Sequence, residues 1–439
     1  MDIMTAKEAA ALWGISKRRV ALLCEQQRIK GADKLGNNWV IPKDATKPAD
    51  QRIRSGKYSK KHASNCSYTL KQYDTVLLGF ELQKEFDGLA AKITWIGEDK
   101  KHLLPLDFVV SDEGLLKWLK NRTIPANRAY VENFLARLGL NEKDTKGIID
   151  ICKGLSLNDS YWTPAAGFTG TFAENNLFEN RFSNTLASIA FTGHGSMRPS
   201  SFTSSPEFTT NGMLAKCWRR DRGKIMLYKS GTEGAANTGK EPYSEYYAYQ
   251  VAKAMGFDAI QYGLSVWKGK LCSTCELFTD IDTSYIPIGR LVREGGIRAV
   301  LEFYSNLGEK YYQKFIDMLV FDAVICNTDR HFGNFGVLVD NKTNHIKDFA
   351  PIFDHGLSLF CYAMNEDLKN IKTYARTRVP ATYPDFVEFA KQIMTKCQRD
   401  KLRPLLNIKL KKHQRYNLPD DRLKAIEAFL KDRVRELLQ

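Results

Sequence analysis

The 439-residue sequence predicts an α+β protein: a small helix-turn-helix module with a wing, then a larger two-lobed unit, strand-rich in its first lobe and mostly helical in its last. Three observations predict it. Two short helical stretches meet at Gly14 and are followed by strand-like pieces. Strand-length apolar runs recur from Thr75 to Phe278. From Tyr311 onward apolar residues fall at helical spacing, broken by two polar motifs, Asn327–Asn334 and Phe353–Gly356.

Bulk properties limit what the chain can be. Its length supports at least two cores. Hydrophobic residues make up 43%, with no apolar run long enough to span a bilayer, so no membrane partner is expected. The start, Met1-Asp2-Ile3-Met4-Thr5, lacks the basic-then-apolar build of a signal peptide. Nine cysteines without regular spacing fit free thiols, and a cytoplasmic location is expected. The net charge is +15, and Met1–Asn65 alone holds 14 Lys/Arg against 6 Asp/Glu. Basic charge this concentrated is the footprint of a nucleic-acid binder, or else of a solvated tail.

The local pattern favours the binder. Thr5-Ala6-Lys7-Glu8 is a capping box opening a helix that stops at Gly14. Ser16 caps a second helix, on which Val20, Leu23 and Cys24 form one apolar face while Lys17, Arg18 and Arg19 occupy the first turn. Arg28–Ala32 and Asn38–Pro42 read as two strands of a wing around Lys34–Asn37. With its E-A-A-x-L-W-G-I-S opening, R-R-V, R-I-K-G-A and W-V-I-P, residues 1–48 resemble the winged helix-turn-helix of the MerR/excisionase group. The resemblance implies DNA binding, with Lys17, Arg18 and Arg19 on the recognition helix and Arg28, Lys30 and Lys34 near the wing. A degenerate module used only for protein contact is the alternative. Residues 49–67, with almost no apolar content, read as a linker.

Residues 68–195 read as an α/β scaffold subdomain. Thr75–Leu82, Ala91–Ile96 and Leu103–Val110 are expected strands, and Gly114–Lys120 and Tyr130–Leu138 expected helices. Nothing in the segment resembles a ligand cluster.

Residues 196–285 read as a strand-rich lobe able to hold a nucleotide. Phosphoryl transfer from ATP needs backbone donors over the phosphates and a lysine on their oxygens, itself held by a carboxylate on a nearby helix. Lys224–Gly231 is an apolar strand near whose end Lys229 is the candidate ATP lysine. The helix through Ala254 carries Glu245 in its predicted first turn as the candidate partner, with Glu241 as the fallback. There is no G-x-G-x-x-G; the turn Thr209–Lys216, with the single Gly212, is the best place for a phosphate loop. Leu271–Phe278 reads as the strand leading to an adenine-facing backbone at Glu276, Leu277 and Phe278. Cys272-x-x-Cys275 lacks the two further ligands of a structural zinc, so it reads as two buried thiols.

Residues 286–439 read as the catalytic, mostly helical lobe. A helix over Tyr311–Cys326 delivers Asn327-Thr328-Asp329-Arg330-His331-Phe332-Gly333-Asn334. Kinase catalytic loops space base and amide as D-x-x-x-x-N and place a metal-binding Asp in a later turn. Asp329 is thus the candidate base, and Asn334 and Asp354 the candidate magnesium ligands, oxygen donors as a hard ion requires. Phe335–Val339 and Ile346–Phe353 are expected to form the hairpin between them. His331, grouped with the ATP-binding residues, and His355 read as orienting groups. Amphipathic helices are expected at Phe386–Cys397 and Arg422–Leu438.

With N-x-D-R-H-x-x-N, F-D-H-G, the strand ending in Lys229 and Ser244-Glu245 on its helix, this part of the chain resembles the HipA-like serine/threonine kinases, whose fold is distantly shared with phosphoinositide kinases. The resemblance implies a two-lobed kinase fold and Mg-ATP-dependent phosphorylation of protein serine or threonine. It also implies an autophosphorylated residue just before the phosphate loop, at Thr209 or Thr210 or in the Ser200–Ser205 cluster, which includes Ser204 and Ser205. Family members are often toxins governed by a separate DNA-binding antitoxin, so an antitoxin-type partner is a further expectation; this chain departs from the pattern by carrying its own helix-turn-helix. Two other readings use the same residues: a DNA-binding regulator with an inactive kinase fold, and a lipid or small-molecule kinase.

Overall fold

The computed structural model of the chain describes residues 2–36, 38–48, 66–85, 88–195 and 204–439. The chain divides into two compact units, Met1–Ser64 and Asn65–Gln439.

In the first unit, Thr5 closes the expected capping box: its Oγ1 accepts from the Glu8 amide at 3.3 Å, and its own amide donates to Glu8 Oε2 at 2.7 Å. The helix Ala6–Trp13 ends at Gly14, whose φ of +62° suits a residue without Cβ. Ser16 Oγ then accepts from the Arg19 amide and starts the helix Lys17–Glu25. Ala9, Val20, Leu23, Cys24 and Ile41 form a small core. The sheet is built differently from the expected wing. Strands β1 (Ile3–Thr5), β2 (Asp33–Leu35) and β3 (Asn38–Pro42) lie in the order β1-β3-β2. Arg28–Ala32 is not a strand: Gln27 turns left-handed at φ +54°, the Arg28 amide caps the preceding helix on Leu23 O, and Ile29 points into the core. Of the residues assigned to the wing, Lys34 alone lies on its hairpin.

The second unit opens on an antiparallel sheet of β4 (Cys66–Gln72), β5 (Thr75–Glu85), β6 (Gly88–Ile96) and β7 (Tyr161–Trp162), ordered β6-β5-β4-β7. The expected linker therefore ends in a strand at Cys66 and Ser67; residues 49–65 lie outside the described residues. Helices Asp112–Lys120, Thr145–Cys152 and Asn184–Thr192 supply the apolar side chains against this sheet. Leu103–Val110 is not a strand. A 3-10 turn over Glu98–Leu103 precedes Pro105, which has no N–H for a ladder, and Asn344 Nδ2 donates instead to the carbonyls of His102 and Leu104. The helix expected from Tyr130 begins at Val131 and ends at Ala136, because Tyr130 is left-handed at φ +62°.

A second antiparallel sheet, ordered β10-β11-β9-β8, holds β8 (Lys216–Asp221), β9 (Lys224–Ser230), β10 (Tyr262–Trp267) and β11 (Lys270–Glu276). The helix Glu241–Ala254 packs on it. Because that helix starts at Glu241, Glu245 falls in its second turn, not its first. A third sheet of β12 (Thr283–Pro287), β13 (Gly336–Asp340) and β14 (His345–Phe349) borders the helical lobe. Its last strand stops at Phe349, four residues short of the expected Phe353, so Phe353–Gly356 is a turn.

The helix Glu309–Ile325 forms the centre of the largest core, buried at every residue from Phe315 to Ile325. The helix expected over Phe386–Cys397 is two: the chain leaves helical geometry at Met394 (ψ 140°), and Thr395 with Gln398 caps a new helix, Lys396–Leu402. The final helix runs Asp420–Leu438. No described helix is long and apolar enough to cross a membrane.

Candidate active site

The helix Glu309–Ile325 ends where Cys326 turns left-handed at φ +51° and delivers Asn327. Asn327 fixes the loop at both ends: its Oδ1 accepts from the Asp329 amide at 3.2 Å, and its Nδ2 donates to Asp322 Oδ1 at 3.0 Å. Arg330, fully buried, is the keystone. Its Nε and Nη2 donate to the two oxygens of Asp322 at 2.8 and 3.0 Å, and Nη1 donates to the carbonyls of Asn334 (2.8 Å) and Phe353 (2.5 Å). One guanidinium thus ties the Asp329–Asn334 loop to the Phe353–Gly356 turn. Nη2 also lies 3.2 Å from His355 Nδ1. A guanidinium can only donate, so Nδ1 accepts and the His355 proton sits on Nε2. Burial, and then the Arg330 charge, hold His355 well below the usual histidine range. His331 Nδ1 accepts from the Gly333 amide at 3.0 Å, within its own loop.

Asp354 takes the left-handed backbone at φ +58°, with its amide donating to the Tyr262 hydroxyl at 3.0 Å. A non-glycine residue there is a strained choice that recurs at functional sites. Lys229 Nζ donates to Glu245 Oε1 at 3.0 Å and to Asp354 Oδ1. The other Glu245 oxygen accepts from the His355 amide at 2.7 Å. Lys229 therefore spans the helix Glu241–Ala254 and the turn carrying Asp354. Glu241, the fallback partner, is occupied elsewhere: it accepts from the Thr232 amide at 3.0 Å and the Tyr362 hydroxyl at 2.8 Å.

A cleft of about 1210 Å³ lies between the second sheet and the Asp329–Asn334 loop. Asp329, His331, Asn334, Lys229, Asp354, Thr209–Lys216 and Glu276–Phe278 all face it. So do Tyr130 and Ser156–Asn158 from the segment read as scaffold. Burial disfavours charge on Asp354, but Lys229 and then Lys216 hold its carboxyl well below the ordinary range. Burial, then the neighbouring Asp354, push Asp329 up. Asp329 and Asp354, both facing the cleft, are thus driven apart in acidity.

Lys216 was not visible as a site residue in the sequence. In the β8–β9 register it lies directly opposite Lys229, so both ammonium groups rise from one face. It is buried, with Nζ donating only to Asn211 O at 2.9 Å, and no described carboxylate pairs with it. Burial, then Lys229, lower it to about 7. Gly212, at φ +93°, leaves it room: a Cβ there would lie 2.2 Å from Lys216 Nζ. The signal was available in the hairpin register about Arg219–Gly223, which pairs the two lysines; on one strand alone it is not.

Other expected residues are placed as follows. The Leu277 amide donates to Ile225 O at 2.8 Å, so that donor is not open to adenine; the Phe278 amide makes no hydrogen bond among the described residues. The Glu276 side chain pairs with Lys224 at the surface. Thr209 is buried, its Oγ1 donating to Leu155 O at 3.1 Å, and Thr210 Oγ1 donates to Pro206 O at 2.7 Å. Ser204 donates to Cys152 O, the buried Ser205 Oγ makes no hydrogen bond among the described residues, and residues 200–203 of the cluster lie outside the described residues. Cys272 and Cys275 are buried free thiols. In the first unit Lys17, Arg18, Lys30 and Lys34 are exposed, and Arg19 and Arg28 half-buried.

The donor set suits magnesium. Mg²⁺ is usually held by one or two carboxylates together with substrate phosphates. Asp354 supplies the carboxylate, and Asn334 Nδ2 donates to Asp329 O at 3.0 Å, which leaves the amide oxygen as the atom able to take a cation. No group of three or more acidic, His or Cys side chains suited to a metal exists among the described residues.

No family model matches the chain. The chain is similar to the serine/threonine-protein kinase CtkA of Helicobacter pylori, with 28% identity over 134 residues, which are 27% of this chain and 40% of that protein. The match thus spans two fifths of the relative's length. Among solved structures, the Helicobacter pylori proinflammatory kinase CtkA aligns at a TM-score of 0.41 and 18% identity, over 51% of this chain and 91% of that one. HipA of Shewanella oneidensis MR-1, solved with HipB and its operator DNA, aligns at 0.47 and 11%, over 84% and 99%.

Proposed function

We propose that this chain is a Mg-ATP-dependent serine/threonine protein kinase of the HipA-like type, with its own DNA-binding module. The observation that carries the reading is Lys229 held between Glu245 and Asp354 in the same cleft as Asp329 and Asn334. A lysine–glutamate pair, a base and two oxygen ligands are the parts that phosphoryl transfer from ATP needs. The similarity to a serine/threonine kinase supports the choice of protein hydroxyl over lipid.

Each residue has a task in this reading. Asp329 accepts the hydrogen bond of the attacking hydroxyl and takes its proton; its raised pKa makes it a better base than an ordinary aspartate. Lys229 and Lys216 carry positive charge to the phosphate oxygens, and Glu245 keeps Lys229 aimed into the cleft. Asp354 and Asn334 would hold Mg²⁺, which when bound neutralises phosphate charge. Lys229 now occupies Asp354 Oδ1, so the bond between them must loosen for Asp354 to take a cation.

The first unit serves DNA binding in the same proposal. Lys17 and Arg18 are exposed on the first turn of its second helix, and the excess basic charge suits phosphates. Regulation of its own transcription follows as the role that joins the two units.

Incubation with radiolabelled ATP and a bacterial protein extract tests the chemistry. Label on protein with wild type and none with Asp329→Ala is expected; absence of label with both would falsify the kinase reading. Label on inositol lipid vesicles but not on protein would replace it with a lipid kinase.

A further inference from the structure

The loop Thr209–Lys216 has its carbonyls and its amides on different terms. Four carbonyls at three-residue intervals are gathered by two adjacent residues of the preceding segment. Arg128 Nη1 donates to Glu207 O and Thr210 O, each at 3.2 Å; the Ala129 amide donates to Met213 O at 2.7 Å; and Arg128 Nη2 donates to Lys216 O at 2.5 Å. The amides of Thr210 through Ala215, in contrast, make no hydrogen bond among the described residues, although all six residues line the cleft. Unpaired amides on a loop that faces a cavity are an anion site in waiting.

Arg128 is itself fixed by burial and by charge. Its side chain is fully buried, and Nη2 pairs with Glu207 Oε2 at 3.1 Å while Glu207 Oε1 accepts from the Trp218 amide at 2.8 Å. The ion pair thus joins the residue before the loop to the strand after it. A planar guanidinium can reach several carbonyls in different directions at once, which a lysine ammonium on one point cannot.

We propose that Arg128 is a positioning residue for the phosphate loop: by drawing the loop carbonyls away from the cleft it leaves the amides of residues 210–215 for the phosphate oxygens of ATP. The inference rests on the kinase reading and makes residues 68–195 part of nucleotide binding, not only a scaffold.

Two readouts test it, one independent of nucleotide. In Arg128→Lys, shown to be folded by circular dichroism and a cooperative melt, trypsin should cut after Lys216 roughly tenfold faster than in wild type, because the loop opens locally. Calorimetric ATP affinity should fall roughly tenfold and the ATP KM rise to match, with kcat at saturating ATP within about threefold of wild type. Unchanged cleavage together with unchanged ATP affinity would overturn the proposal. Should Arg128→Lys not fold, the paired Arg128→Met and Glu207→Leu exchange removes both charges at once; the same two shifts are expected, and their absence counts against the proposal equally. A wild-type protein that binds no ATP would sink the kinase reading instead, while the trypsin comparison still decides whether Arg128 holds the loop.

Discussion

Asp322 with Arg330, beneath the Asp329–Asn334 loop, and Lys216 with Lys229, on the wall of the cleft, are both pairs of buried charged side chains built on opposite terms. Under the loop the charges are of opposite sign, and every nitrogen of Arg330 finds an acceptor: Asp322 twice, two carbonyls and His355. In the cleft two like charges face each other across a hairpin, and one of them, Lys216, has a single carbonyl for company. Burial without compensation is costly, and a fold keeps it where a ligand will supply the missing charge. The complete network is structural, and the incomplete one is where the kinase proposal puts the phosphates of ATP.

Substitutions can break that contrast. Arg330→Met should be the most damaging to the fold, since it strands Asp322 in the core; a loss of about 3–5 kcal/mol in urea-measured stability is expected. If the loss were below about 1 kcal/mol, the network would not be the keystone described.

Next comes Lys229→Met. It leaves Glu245 and Asp354 facing each other, and transfer of phosphate should fall roughly a hundredfold or more. Single-turnover measurement with ATP checks this, and near-normal turnover would remove Lys229 from the chemistry.

Lys216→Met sharpens the comparison most, because stability and function should move in opposite directions. Deleting a buried, unpaired ammonium should raise stability by on the order of 1 kcal/mol while weakening ATP binding. A variant that loses both would place Lys216 with the structural charges.

The pH dependence probes the charges of the cleft. Lys216 is lowered to about 7 in the fold against 10.5 when free, so between those values the unfolded chain binds more protons at this site than the native one. Its contribution therefore makes stability rise with pH from about 7 toward 10, and Lys216→Met should flatten that slope. Asp354 is likewise lowered in the fold, held down by Lys229 against its burial; its contribution is present above the ordinary carboxylate range and disappears as pH falls through the native value. Activity should fall on acidification before stability does, since Asp329, raised by burial and Asp354, takes up its proton first.

The smallest effect is expected in the first unit, at the exposed Arg18 and the half-buried Arg19. Arg18→Ala with Arg19→Ala should reduce DNA affinity and the steepness of its salt dependence in mobility-shift titrations, by roughly 1 kcal/mol for each phosphate no longer neutralised. Unchanged binding would move the DNA-facing surface off the second helix.

Local signals were legible where chemistry is local. The capping box at Thr5, the Gly14 stop, the Ser16 cap and the long buried helix before Asn327 all depend on neighbours within four residues, and the structure has them. The spacing Asp329 to Asn334 is likewise a property of one loop. Errors fell where a distant partner decides. Leu103–Val110 has strand composition, but Asn344 takes its carbonyls; Arg28–Ala32 looks extended, but Ile29 is needed in the core.

The sequence by itself determined the residue types and spacing of the Asp329–Asn334 loop and the Phe353–Gly356 turn, because an aspartate, an amide and a second aspartate recur there at set intervals. Tertiary structure alone decided which charges are matched. Lys216 becomes Lys229's neighbour only when a hairpin sets the register, and Arg128 reaches the carbonyls around the loop only after a separate segment folds against it. Charge compensation is a sum over space, and one chain read in order does not contain that sum.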